Sequence, residues 1–175
     1  MNRPAELIQV LGLLLAVVAS GWAAEANPEQ ATAITEIKKL GGNATLDQKS
    51  SEKPVIGVTL EHTKVTDAGL VHLKALTNLQ RLELGSTAVT DAGLVNLKGL
   101  TQLHTLELDR TKITGPGLAH LKGLIQLDRL NLWNTKVVDG GLVHLSALTN
   151  LHSLVLDNTQ ITDAELEHLK GLTHL

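Results

Sequence analysis

The chain has 175 residues, 15 Lys and Arg against 18 Asp and Glu for a formal net charge of −3, and no Cys. Without Cys there is neither disulfide stapling nor a thiol for lipid anchoring, and a nearly neutral chain lacking a basic stripe has little with which to neutralise nucleic-acid phosphates. Two Trp and no Tyr or Phe also leave no stacking platform for single strands.

The chain opens on Arg3, an apolar run from Leu7 to Ala19 interrupted by Gln9 and Gly12, and small residues at Ala23, Ala24 and Ala26. This order predicts a secretory signal peptide over residues 1–26, cleaved after Ala24 or Ala26. Glu6 cancels the N-terminal charge, which keeps an uncleaved anchor as the alternative, although the apolar stretch barely reaches the ~17 to 20 residues of a spanning helix. Cleavage removes Arg3, Glu6 and Glu25, so the mature charge changes by a single unit.

Residues 27–54 read as a capping segment. Asn27 and Pro28 open a helix with Ala31, Ile34, Ile37 and Leu40 on one face, and Gly41 and Gly42 end it. Ala44 and Leu46 alternate as a short strand, residues 47–53 form a polar turn, and Pro54 leads into a first strand at Val55 to Leu60. Solenoid ends need such a cover, because the first repeat otherwise exposes its leucines to water.

From residue 55 to 175 the text is periodic. Thr63, Thr87, Thr111, Thr135 and Thr159 stand 24 residues apart, and full units begin at Leu76, Leu100, Leu124 and Leu148 after a weaker unit from Glu52 to Ala75. Such a period signals stacked supersecondary units. In each unit the apolar residues mix two spacings: Leu82 and Leu84 are two apart, as in a strand, while Leu94, Leu97 and Leu100 are three apart, as on one face of a helical turn. Asp67, Asp91, Gly115, Asp139 and Asp163 are expected as helix N-caps, with Pro116 at a first helical position. Gly99, Gly123 and Gly171, with Ala75 and Ala147 in the other units, are expected as C-terminal caps. Leu172, Thr173, His174 and Leu175 start another repeat, so the array is expected either to be part of a longer one or to end on an apolar edge.

The pattern carried by Leu76, Leu79, Leu82, Leu84, Thr87 and Val89 resembles the leucine-rich repeat family, and its TDAGLxxLxxLxxL wording resembles the 24-residue repeats of planctomycete-type bacteria. A looser likeness to the repeats of F-box adaptors bears on fold alone. The resemblance implies an α/β fold: a leucine-rich repeat solenoid with a parallel concave sheet, short helices on the convex side and an N-terminal helix-strand cap. Thr stands where the family usually carries Asn or Cys, and its hydroxyl is expected to bond the turn backbone of a neighbouring repeat.

Function then falls to the positions that vary. Four outward columns are expected on the concave strands: Arg81, Thr105, Arg129 and Ser153; Glu83, Glu107, Asn131 and Val155; Gly85, Asp109, Trp133 and Asp157; Ser86, Arg110, Asn134 and Asn158. An aromatic ring flanked by Arg is the composition of a binding hot spot. The candidate ligand-binding residues are therefore Arg81, Glu83, Glu107, Asp109, Arg110, Arg129, Trp133, Asn134 and Asp157. The bland alternative is a solubilising surface in which charges pair across strands.

Two constellations suggest chemistry without completing it. Glu83 and Glu107 on adjacent strands ~4.8 Å apart approach the spacing of a retaining glycosidase, but no enclosed site is evident and Arg81 and Arg129 are expected to neutralise them. His72, His120, His144 and His168 form a helical column, yet helices packed ~8 to 10 Å apart do not supply Zn–N bonds of ~2 Å. The sequence thus predicts a non-catalytic, exported module without cofactor or metal, which holds a protein or peptide on its concave face. A structural scaffold of the cell envelope is the alternative, and a recognition arm of a longer enzyme or adaptor the remote one. No nucleic-acid partner is expected, and membrane association only if residues 1–26 stay attached.

Overall fold

The computed structural model describes residues 27–175; the signal-peptide reading of residues 1–26 lies outside the described residues. Helix α1 (Pro28–Lys39) starts where expected, with Pro28 at its first turn and the Asn27 Oδ1 accepting the Glu29 and Gln30 N–H groups at 3.0 and 3.4 Å. It ends at Leu40, followed by Gly41 at φ +87°. Its buried stripe is Ala33 and Ile37, four apart, while Ala31, expected inside, is exposed.

Strand β1 (Asn43–Leu46) pairs antiparallel with β2 (Val55–Thr59), and Gln30 of α1 ties this hairpin down by accepting the Val55 N–H at 2.8 Å. From β2 onward each strand pairs in parallel with the next: β3 (Arg81–Glu83), β4 (Thr105–Glu107), β5 (Arg129–Asn131) and β6 (Ser153–Val155), in the order β1 to β6. Leu82, Leu106, Leu130 and Leu154 lie in register, so the sequence period is the period of the sheet. Their side chains join one continuous core with the helical leucines, most of them fully buried. Each contributes roughly 1.5 to 3 kcal/mol by area.

The helical turns are 3₁₀ helices, at Asp67–Ala75, Gly93–Leu97, Pro116–Leu121, Leu142–Leu145 and Asp163–Leu169. Three-residue leucine spacing is the 3₁₀ period, and these short turns are held by burial rather than by propensity. The expected C-terminal glycine caps do not form: Gly99, Gly123 and Gly171 are absent from the positive-φ residues, and Gly99 and Gly171 face open space where a Cβ would stand. Ala75 and Ala147 can therefore fill the same position.

The Asp column also works differently from expectation. Asp67, Asp91 and Asp139 cap no helix of their own; each carboxylate reaches the next repeat, accepting the N–H and hydroxyl of Thr90, Thr114 and Thr162. Asp91 further accepts the N–H groups of Gly115 and Gly117, so it caps the following helix. This latch explains two glycines, Gly93 and Gly117. A Cβ on Gly93 would collide with the Asp67 carboxylate, and one on Gly117 would lie 2.6 Å from the Asp91 Cα. Gly115 does precede its helix as the expected cap residue, at φ +128°, with Pro116 following. In the repeat from Leu148, Glu165 takes the glycine's place, 6% exposed, and its Oε2 reaches back to accept the Leu142 N–H at 3.2 Å.

The Thr column is internal to each repeat. The hydroxyls of Thr63, Thr87, Thr111, Thr135 and Thr159 donate to the carbonyl three residues earlier at 2.6 to 2.7 Å, and none bonds the neighbouring repeat as expected. These bonds close the turn after each strand.

Candidate functional site

Strands β3 to β6 are only three residues long, so the nine candidate residues divide into two sets. Arg81, Glu83, Glu107 and Arg129 stand on the strands with their side chains away from the core. Asp109, Arg110, Trp133, Asn134 and Asp157, expected on the same strands, instead lie in the turns that follow. The chain leaves extended geometry there because Arg110, Asn134 and Asn158 adopt φ of +53° to +59°. Backbone bonds still stitch these turns together: Arg110 N donates to Trp133 O at 2.9 Å and Asn134 N to Asp157 O at 3.0 Å.

Trp133 is half-buried, and the Arg110 guanidinium carbon sits 4.4 Å from its ring centroid. A cation over an indole face at that distance is held by the ring quadrupole. The Trp133 N–H donates to Asn131 Oδ1 at 2.9 Å, an Asx turn that fixes where the indole leaves the backbone. Asn131 was not among the candidates; its signal is an Asn two residues before the lone turn aromatic. Asn158 Nδ2 donates to Asn134 Oδ1 beside it, and Asp109 folds over Gly85, where a Cβ would meet Asp109 Oδ1 at 2.5 Å.

On the strands, Arg81 Nε donates to Glu83 Oε1 at 2.7 Å. Burial pushes the Glu83 carboxyl upward, but hydrogen bonds from Thr59 and Arg81 and the Arg81 charge outweigh it and hold the group below the usual carboxylate range. That is opposite to the raised carboxyl a glycosidase acid requires, so Glu83 is not placed to serve as one. Arg129 departs from expectation: its Nε lies 3.8 Å from Asp128 at the strand's start rather than against Glu107. Beside Arg81 and Glu83 a shallow hollow of ≈ 220 Å³ is lined also by Thr45, Gly57 and Thr59.

On the helical side His72, His120 and His144 are half-buried and His168 is exposed. Burial, and then the charge of Lys122, holds the His144 imidazole below its ordinary range, and its Nδ1 is buried without a hydrogen-bond partner. Among the described residues no three His, Cys, Asp or Glu side chains come together as a metal-ligand set.

Comparison with known proteins agrees with this architecture. Residues 75–98 match the family model described as Leucine Rich repeat. An internalin of Listeria monocytogenes superposes with a TM-score of 0.57 and 31% identity over 64% of this chain; the chain spans 31% of that protein's length. Internalin C2 of the same organism gives 0.52 and 23% identity, covering 89% of this chain and 78% of its own. The BIR2 ectodomain of Arabidopsis thaliana gives 0.52 and 20% identity over 67% and 62%. No curated protein matches the chain. The fold is the leucine-rich repeat solenoid, an architecture that supports a protein-binding role.

Proposed function

We propose that this chain is an exported, non-catalytic binding module of the bacterial 24-residue repeat type, which holds a protein or peptide on the concave sheet and the turns bordering it. One observation carries the reading: the columns facing the core repeat almost unchanged, whereas those facing outward differ from repeat to repeat. Uniform positions serve stacking and cannot distinguish partners; variable positions can. The Arg110 and Trp133 stack gives that surface an ordered aromatic anchor, the residue type that dominates binding energy at interfaces. The apolar run at residues 7–19 and the small residues after it support export with loss of residues 1–26.

Trp133→Ala should weaken capture of an extracytoplasmic partner at least about tenfold, or ~1.4 kcal/mol, with the melting temperature nearly unchanged. Retained capture in that variant, together with loss on changing His120 and His144 to Ala, moves the working surface to the helices. Mass spectrometry of the exported protein, starting at Glu25 or Asn27, tests the export half; an intact Met1 form in the membrane pellet refutes it.

A further inference from the structure

The outward columns sort by charge. Arg81 and Arg129 stand in the first column, at the start of their strands. The next two columns, extended by register to Thr59 and by period to Glu61, hold Glu83, Glu107, Glu61, Asp109 and Asp157 and no Lys or Arg. Two of these five carboxylates have partners, Glu83 with Arg81 and Glu61 with His62 Nε2 at 3.3 Å. Glu107, Asp109 and Asp157 have no cationic side chain within 4.0 Å among the described residues. The nearby cations are turned elsewhere, Arg129 toward Asp128 and Arg110 onto the indole.

Asp109 and Asp157 occupy the positions equivalent to Trp133 in the repeats on either side, roughly one strand spacing of 4.8 Å away. Along that column one aromatic position thus stands between two carboxylate positions without an ion-pair partner, with a third carboxylate on the adjoining strand; the Asp109 side chain rests over Gly85 and swings to the ring side when a cation docks. Carboxylates supply directional acceptors to a guanidinium or ammonium, and an indole supplies its π-face; both select cations. Arg110 shows that the ring accepts a guanidinium in this geometry.

We propose that the partner segment seated on the concave face is basic, and that one of its Arg or Lys side chains docks at Trp133 between Asp109 and Asp157. This inference rests on the concave-face reading and adds the chemistry of the partner. Arg110 is then the chain's own occupant of the ring, a cation that the incoming one opposes or displaces.

The probe is a short peptide of alternating Arg and Gly, with Glu-Gly and Ser-Gly peptides of equal length as controls, titrated into the full chain at low salt. The chain has two Trp and no Tyr or Phe, so fluorescence corrected with Trp133→Leu reports Trp133. The Arg-Gly peptide should shift that signal. Asp109→Asn with Asp157→Asn should weaken its binding about tenfold without changing the melting temperature, and added salt should do the same. Arg110→Asn, which places there the residue Asn134 and Asn158 already carry at a left-handed φ, should tighten binding severalfold. Absence of Arg-Gly binding, or binding indifferent to the double Asn variant, overturns the proposal. A Trp133 response to the Glu-Gly or Ser-Gly peptide instead overturns the charge assignment and leaves the concave-face reading standing. That reading falls separately, when a captured partner ignores Trp133→Ala.

Discussion

Two kinds of joint hold the repeats together. Between the repeats from Leu76 and Leu100, Asp91 grips the next repeat through Thr114, Gly115 and Gly117. Between the repeats from Leu100 and Leu124 the grip is missing: Gly115 stands where Asp91 and Asp139 stand in their repeats and Val138 where Thr114 and Thr162 do, so both halves of the latch are lost together. The backbone has adapted, with Gly115 at φ +128°, Gly140 at φ +88° and a Gly141 Cα close enough that a Cβ on Gly115 would meet it at 3.3 Å. The turn edge of the same joint carries the Arg110 and Trp133 stack. The core leucines are equally buried on both sides, which teaches that the apolar columns fix the stack while its polar stitching can be exchanged. The candidate site lies across the joint that lacks the latch.

Leu94→Asp should have the largest effect, because it attacks what both joints share. Leu94 is fully buried in the continuous core, and an unpaired charge there belongs with the severe substitutions, on the order of 4 kcal/mol or more. Circular dichroism melts should lose their cooperative transition; a native-like melt means the leucine register is misassigned. Next, Gly117→Ala should cost about 2 to 3 kcal/mol, since its Cβ would press on the Asp91 Cα at 2.6 Å. Gly141→Ala, at the unlatched joint, meets its nearest atom at 3.1 Å and should cost distinctly less. Equal losses in urea unfolding erase the distinction between the joints. Asp91→Ala follows at about 1 to 2 kcal/mol, for the hydrogen bonds lost from Thr114, Gly115 and Gly117.

The smallest expected effect is a pH dependence across the unlatched joint. Burial first, and then Lys122 in the preceding repeat, lowers the His144 pKa from the ordinary 6.5. The unfolded chain therefore takes up a proton that the folded chain resists, so stability is kept above that value and lost as pH falls through it toward the lowered one. Urea midpoints at about pH 7.5 and about pH 5.5 should differ less in His144→Leu than in the parent chain. An unchanged difference places the titration in other groups.

The stack itself was legible because apolar spacing reports burial directly: Leu82 and Leu84 two apart, Leu94, Leu97 and Leu100 three apart, all repeated every 24 residues. The Asp column was misread because its partners stand 23 residues downstream, and local capping rules look only a few residues ahead. A nonlocal signal was nonetheless present, since Gly115, the single Gly in that column, is matched one repeat later by Val138, the single Val in the column of Thr90, Thr114 and Thr162. Of the candidate site, Arg81 and Glu83 were placed correctly on their strand and do pair. Asp109, Arg110 and Trp133 were placed too far along an extended segment, because nothing in their side chains announces the left-handed residue that ends it. The stack of Arg110 on Trp133 joins positions 23 apart, which the repeat makes diagonal neighbours; the choice of that contact over a pairing with Asp109 or Asp157 is set by packing.

One consequence concerns how such a surface can diversify. His62, Ser86, Arg110, Asn134 and Asn158 share a left-handed backbone, with φ between +53° and +59°, at the rim of the candidate site. Their side chains vary freely in charge, yet the backbone filters what can appear: β-branched residues are strongly disfavoured at positive φ, while Asn, Gly and flexible unbranched side chains are tolerated. A combinatorial library built on this scaffold should therefore draw Val, Ile and Thr out of that column while leaving Arg81, Thr105, Arg129 and Ser153 open to them, since those four lie on strands where branching is favoured. The alphabet available for recognition changes within five residues of chain, and its boundary is drawn by a dihedral angle.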